Sequence, residues 1–295
     1  MRKFAFILIA LLAICTLSHS QVKKGSQKIQ ITYIANDGFL IDFGQRKILI
    51  DALFGPESLG FCEIPKRETI DSLTQAKGRY SNIDLVAVTH CHRDHFHAPY
   101  VREHLQNNPG ASLISCEQTV DSLKNESIKS KYTSQIVEVT PDLWTSVDTA
   151  IGKIQVKVFR LRHSAYFMKD PHTGEKINKH EDIQNVGYLF DVHGLRIFHA
   201  GDASLMGRDE FKHFRLKEEQ IDIAFLDRSF IAGNRPKQIQ DDLSLLGAEH
   251  IILMHLREDR IPTVMQDIEM MDSIPFQLHV FQERMDSKSY IFESF

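Results

Sequence analysis

Two hydrophobic rhythms alternate along the chain. Short apolar runs bounded by Gly, Asn and Asp read as strands: "NDGFLIDFGQRKI" over 36–48 and "NVGYLFDVHGLRI" over 185–197 each give strand, Gly-containing turn and strand, an antiparallel hairpin. The run Leu85–Val88 in "DLVAVTH" is a buried strand, "VKVFRLRH" (156–163) an alternating one, and "IDIAFLD" (221–227) and "EHIILMHL" (249–256) are two more. Between them the apolar spacing widens to three and four. The predicted helices are 66–78, with Ile70 and Leu73 on one face and a stop at Gly78, then 98–110, opening near Pro99 and closing at Asn-Pro-Gly, then 119–127 and 241–247.

The two hairpins match at one offset: Asn36 with Asn185, Gly38 with Gly187, Leu40 with Leu189, Asp42 with Asp191, Ile48 with Ile197. The echo continues downstream, where "NIDLVAVTH" (82–90) is answered by "QIDIAFLDR" (220–228). Self-similarity at a fixed offset marks a duplicated unit. Each half combines strands and helices, which predicts an α/β (α+β) fold of two similar halves packed sheet against sheet with helices outside. No Pro/Gly/Ser-rich linker divides them, so residues 21–295 are expected to form one domain.

The first twenty residues stand apart. Arg2 and Lys3 precede the apolar "FAFILIALLAICTL", and Ser18-His19-Ser20 offers a small-x-small cleavage site. Residues 1–20 read as a signal peptide, so the mature chain is expected to be exported, periplasmic or secreted. The alternative is a lipoprotein modified at Cys15, against which Ile14 is bulky for the preceding position. No later segment approaches membrane-spanning length. Without Cys15 an odd set remains, Cys62, Cys91 and Cys116, which allows one disulfide but assigns none. The 295 residues carry a net charge of −4, leaving no basic field for nucleic acid; a small-molecule substrate is the expected partner.

Histidine changes the picture. There are 15, and His90, His92 and His95 crowd with Asp94 where the 85–88 strand ends. Imidazole nitrogen and carboxylate oxygen are the donors that borderline divalent ions prefer, and a strand end delivers them to a cleft. Three later strand ends carry further candidates: His163, Asp202 in "HAGD", and His255 in "ILMH".

"THCHRDH" (89–95) resembles the HxHxDH signature of the metallo-β-lactamase fold superfamily, and the order His163, Gly201-Asp202, His255 is similar as well. The match spans "NDGFLIDFGQRKILIDA" to "ILMHL", and "HSAYF" with "QNVGYLFDVHGLRIFHAGD" looks most like the branch of lactonase-like and phospholipase-D-type zinc hydrolases. The resemblance implies a four-layer αββα sandwich. It also implies two divalent ions, zinc first with manganese or iron as alternatives. His90, His92 and His163 would hold one; Asp94, His95 and His255 would hold the other, with Asp202 bridging. The implied activity is hydrolysis of an ester, lactone or phosphoester by a metal-bridged hydroxide that Asp94 helps to orient. Other readings are a β-lactamase, a non-catalytic metal- or substrate-binding protein, and a di-iron redox protein, the last disfavoured because its ligand set usually trades a histidine for a carboxylate.

Around this set, Asp51 is expected to orient a ligand imidazole. Arg228 opens onto the same rim with Asp227; it either clamps an anionic group or pairs with Asp227. The polar stretch 163–184, with Tyr166 near its start, is expected to be a loop over the site, and 54–67 the opposite wall. His172, His180 and His193 read as surface residues, His199 as packing or exposed, and His250 and His279 as strand residues. Cys91 is expected to pack rather than bind metal.

Overall fold

The computed structural model describes residues 26–55, 59–123, 133–204, 208–231, 236–271 and 274–293, so the proposed signal peptide lies outside the described residues. The strands are β1 (Ser26–Ala35), β2 (Gly38–Asp42), β3 (Lys47–Ile50), β4 (Leu85–Ala87), β5 (Ser112–Ser115), β6 (Ile136–Glu138), β7 (Ser146–Ile151), β8 (Ile154–Leu161), β9 (Phe167–Lys169), β10 (Lys176–Asn178), β11 (Asn185–Val192), β12 (Leu195–His199), β13 (Ile223–Asp227), β14 (His250–Met254), β15 (Gln277–Val280) and β16 (Ser287–Glu293). One seven-stranded sheet runs β16-β1-β2-β3-β4-β5-β6, the other β15-β14-β13-β12-β11-β8-β7.

The duplication read from the sequence is visible in the pairing. In the first sheet β1, β2 and β3 are antiparallel and β3, β4, β5 and β6 are parallel. In the second, β8, β11 and β12 are antiparallel and β12, β13, β14 and β15 parallel. Each sheet is completed by an antiparallel edge strand, β16 on β1 and β7 on β8.

Three cores make four layers. Ile31, Phe39, Ile50, Val158, Tyr188 and Phe225 interleave between the sheets. The outer face of the first sheet packs Leu40, Leu49 and Leu113 against α1 (Arg67–Thr74), α2 (Ala98–Asn107) and α3 (Glu117–Leu123) through Leu73, Leu105 and Leu123. The outer face of the second packs Phe198, Ala224 and Leu253 against α4 (Arg208–His213), α5 (Pro236–Leu243) and α6 (Ile261–Glu269) through Phe211, Ile239 and Val264. This αββα sandwich is the predicted fold.

The local expectations need adjustment. The helix predicted over 241–247 is α5, which starts earlier, at Pro236, and ends at Leu243. The helix predicted over 119–127 is α3; its last predicted turn lies outside the described residues. The polar stretch 163–184 is not wholly loop: Lys169 pairs with Lys176 and Phe167 with Asn178 in a small β9–β10 hairpin. The three cysteines among the described residues, Cys62, Cys91 and Cys116, are free.

Candidate metal centre

The histidine motif leaves β4 as irregular chain. His90 and His92 are not in strand conformation, so simple alternation does not aim them. What aims them is Asp51, at the end of β3. Its carboxylate accepts the Thr89 amide (2.8 Å) and hydroxyl (2.6 Å), pinning the start of the motif. Since the Thr89 proton goes to Asp51, Thr89 Oγ1 accepts from His90 Nδ1 at 3.0 Å, and His90 Nε2 is left with its lone pair facing inward. A tight turn follows, with His95 and Phe96 amides bonded to the His92 carbonyl, and it folds Asp94 and His95 back beneath the first two rings. Asp51 Oδ2 also holds His95 Nδ1 at 2.9 Å. Asp51 therefore orients the loop and the His95 ring.

The other strand tips converge on that turn. His163 Nε2 lies 3.2 Å from His90 Nε2 and 3.2 Å from Asp202 Oδ2, while His92 Nδ1 lies 3.0 Å from His90 Nε2. His95 Nε2 is 3.1 Å from Asp202 Oδ1, and His255 Nε2 is 3.6 Å from Asp202 Oδ2. Asp94 Oδ2 is 3.5 Å from His255 Nε2 and 3.6 Å from His95 Nε2. All seven sequence-assigned ligands come together, and Asp202 stands between the two groups.

An eighth residue joins them that the sequence reading missed. Asp37 fills the turn between β1 and β2, fully buried, with Oδ2 at 3.5 Å from His95 Nε2 and 3.9 Å from His255 Nε2. Neither of its carboxylate oxygens has a hydrogen-bond partner among the described residues, nor have His95 Nε2 and Asp202 Oδ1. Two compact donor sets result: His90, His92, His163 and Asp202, and Asp37, His95, Asp202 and His255. Asp37 was obscured because Asn-Asp-Gly between two apolar runs is a turn signature in its own right.

The spacing fits divalent ions. Bonds of ~2.0–2.1 Å in a tetrahedron place neighbouring donor atoms ~3.3 Å apart. Burial lowers the pKa of His90 well below the usual imidazole value and takes His92 down to about 4, keeping both neutral with lone pairs to donate. Burial also drives the Asp37 carboxyl far above its usual range. Such a carboxylate stays ionised only against a cation. Burial opposes charge on His95 and His255 too, yet Asp202 first and then the remaining carboxylates raise both imidazoles, so the pocket's field calls for positive charge.

Several supports lie behind the ligands. His255 sits just past β14 at φ +58°, Asp51 at φ +45° and Asn36 at φ +51°, left-handed backbone that side-chain-bearing residues rarely adopt. Gly201 (φ +56°) has no room for a Cβ, which would strike Asn185 Oδ1 and Thr89, so it brings the Asp202 loop against the histidine motif. Asn36 donates to Asp94 Oδ2 (3.2 Å), and His199 is buried, accepting from the Gly201 amide and donating to the Asp37 carbonyl.

Three expectations are corrected. Asp227 does not face substrate space: its Oδ1 caps the Ser229 amide and its Oδ2 lies 3.5 Å from His255 Nδ1. Arg228 is not among the described residues lining the cavity and forms no ion pair with Asp227; it opens the short 3₁₀ turn that Asp227 caps. His180 is half-buried against the site rather than free on the surface. Its ring lies edge-on to His163 at 4.3 Å and beside His92 at 4.8 Å, with Nδ1 bonded to the Ser164 carbonyl. Cys91 packs as expected, its Sγ 3.5 Å from Gln118 Oε1.

The centre opens into a cavity of about 670 Å³, walled by Leu59 and Phe61 from the 54–67 segment and by Tyr166 and His180 from the 163–184 segment. The sequence profile described as "Beta-lactamase superfamily domain" matches residues 46–266. A "UPF0173 metal-dependent hydrolase" of Heliobacterium modesticaldum is 22% identical over 242 residues, covering 81% of this chain and 87% of that protein. Among solved structures, Igni18, a metallo hydrolase of Ignicoccus hospitalis, superposes with a TM-score of 0.56 at 17% identity, covering 90% of this chain and 100% of that one. The metallo-β-lactamase fold protein YhfI of Bacillus subtilis does so at 0.56 and 12% identity, covering 88% and 99%. With that profile spanning most of its length and both sheets in place, the chain belongs to the β-lactamase superfamily domain family and has the metallo-β-lactamase fold.

Proposed function

We propose that this protein is an exported metal-dependent hydrolase that holds two divalent cations and cleaves an ester, lactone or phosphoester. The observation that carries the reading is the pair of donor sets sharing Asp202 at the floor of an apolar-walled cavity, with buried donor atoms left unpartnered. His90, His92, His163 and Asp202 would hold one cation; Asp37, His95, His255 and Asp202 would hold the other, with Asp94 within reach of it. When bound, such a pair supplies Lewis acidity, polarising the substrate's carbonyl or phosphoryl oxygen and lowering the pKa of water at the site.

The chain's own residues supply the rest. Asp94 lines the cavity with Oδ2 accepting from Asn36 Nδ2 at 3.2 Å, and the cations beside it would keep its carboxyl ionised. Its Oδ2 is thus an ionised acceptor for the proton of the attacking water, and it returns that proton to the departing alcohol as the ester C–O or P–O bond breaks. Leu59, Phe61 and Tyr166 shield the reacting carbon or phosphorus from bulk water. Relatives named metal-dependent hydrolases support this reading, and residues 1–20 support export.

Purified residues 21–295 should contain about two divalent ions per chain by elemental analysis. They should hydrolyse at least one class in a panel of lactones, phosphodiesters and β-lactams supplied with zinc or manganese. Protein free of stoichiometric metal after reconstitution sinks the proposal, and cleavage confined to β-lactams replaces it with the lactamase reading.

A further inference from the structure

Beside the metal cavity lies a second one of about 610 Å³, which shares His163 and His180 with it. Its walls carry Arg160, Arg162 and Lys176 against a single carboxylate among the described lining residues, Glu181. Each cation is braced. The Arg162 guanidinium lies 5.0 Å from the Trp144 ring, with Nε 3.6 Å from the buried carboxylate of Glu210, which also accepts the Arg162 amide. The Lys176 ammonium lies 4.2 Å from the Phe167 ring centroid, and no carboxylate of the described residues pairs with it. Arg160 spends Nη1 on the carbonyls of Leu161, Ile183 and Asn185, and no carboxylate of the described residues pairs with it either.

Three cations thus face one lining carboxylate and one braced behind, and the cavity is electropositive. Arg162 and Lys176 each lie against an aromatic ring while keeping N–H groups for a ligand. A fixed guanidinium fork matches carboxylate or phosphate oxygens. We propose that this cavity is an anion subsite: the substrate carries a carboxylate or phosphate group near its scissile bond, and Arg162 and Lys176 hold that group on the far side of the His163–His180 pair. The exposed apolar side chains of Leu143 and Phe167, which line the same space, suit the spacer between the two groups. This rests on the hydrolase reading for the metal cavity, but the subsite can be tested without turnover.

Trp144 is the chain's one tryptophan, so its emission reports on Arg162 directly. Metal-loaded protein is titrated with glutarate and, separately, with methyl phosphate at fixed pH and ionic strength. Either anion should give a saturable change in emission, whose affinity falls on the order of tenfold in Lys176→Met and whose amplitude vanishes in Arg162→Gln. Saturation by one anion alone identifies the group carried. Flat titrations with both, or unchanged affinity in Lys176→Met, overturn the subsite. In a second arm, mono-para-nitrophenyl glutarate should exceed para-nitrophenyl acetate in kcat/KM by roughly tenfold or more, with the ratio collapsing toward one in Lys176→Met. Equal kcat/KM in the wild type overturns the link between the two cavities. Emission changes with neither ester cleaved leave the subsite standing and count against the hydrolase reading.

Discussion

The two halves of the metal centre are built from different chemistry. One is three imidazoles and a carboxylate, with His90, His92 and His163 presenting nitrogens 3.0–3.2 Å apart. The other gathers the carboxylates of Asp37, Asp94 and Asp202 around His95 and His255. Nitrogen-rich sets suit zinc; oxygen-rich ones tolerate manganese, magnesium or iron as well. The difference extends to their supports. Thr89 fixes the first set by an uncharged hydroxyl, whereas the second has a carboxylate behind each imidazole, Asp51 at His95 and Asp227 at His255. A carboxylate behind a ligand imidazole raises its basicity, so the second position compensates for fewer nitrogens with more negative charge.

Asp202 belongs to both sets, and removing it tests whether they form one centre. Asp202→Ala should lower kcat/KM by on the order of 10³-fold, the equivalent of about 4 kcal/mol of lost charge stabilisation. Bound metal should fall from two ions per chain to one or fewer, read by elemental analysis after gel filtration. Two ions retained would mean the sets do not share a bridging carboxylate.

Asp37→Asn separates them. The amide keeps the shape and removes the charge, so the carboxylate-rich set should lose its ion on mild chelation while the histidine-rich set keeps its own, and activity should fall ~10–100-fold. The metal-free protein should respond in the opposite direction. Without a cation, Asp37 is a buried carboxyl group with neither oxygen hydrogen-bonded among the described residues. Replacing it should stabilise the metal-free fold by about 1 kcal/mol in urea unfolding. Destabilisation of the metal-free protein would show that Asp37 is bonded where the structure leaves it bare.

The same asymmetry governed what could be read from the sequence. His90, His92, Asp94 and His95 are contiguous, and His163, Asp202 and His255 each close an apolar strand, so density and strand ends exposed them. The paired hairpins and their following strands exposed the two-sheet architecture, because duplication leaves a fixed offset. Asp37 left no such mark; its burial depends on strands β1 and β2 meeting the Asp51 and His255 tips, a tertiary fact. His180 was hidden for a related reason. It lies in a polar segment whose solvent exposure looked assured, but the β9–β10 hairpin turns that segment over His163. Arg228 differs again: the repeat gave it a rim position in chain order, yet it opens a 3₁₀ turn capped by Asp227 and is not among the described residues lining the cavity.

The smallest expected effect concerns the residue between the first two ligands. Cys91 sits one position from His90 and from His92, and a thiolate there would turn the histidine-rich set into a mixed nitrogen–sulfur site. The geometry opposes this: Sγ points to Gln118 Oε1, and burial first, then Cys116, raises the thiol's pKa, disfavouring the thiolate a metal needs. Cys91→Ser keeps a donor for Gln118 and nearly the same volume. Stability should therefore change by no more than ~0.5 kcal/mol, with metal content unaltered. Cobalt substitution gives the sharper reading, because a cobalt–thiolate bond has an intense near-ultraviolet absorption that imidazole and carboxylate ligands lack. Spectra of wild type and Cys91→Ser should superimpose; loss of such a band in the variant would add sulfur to the histidine-rich set and erase the contrast between the two halves of the centre.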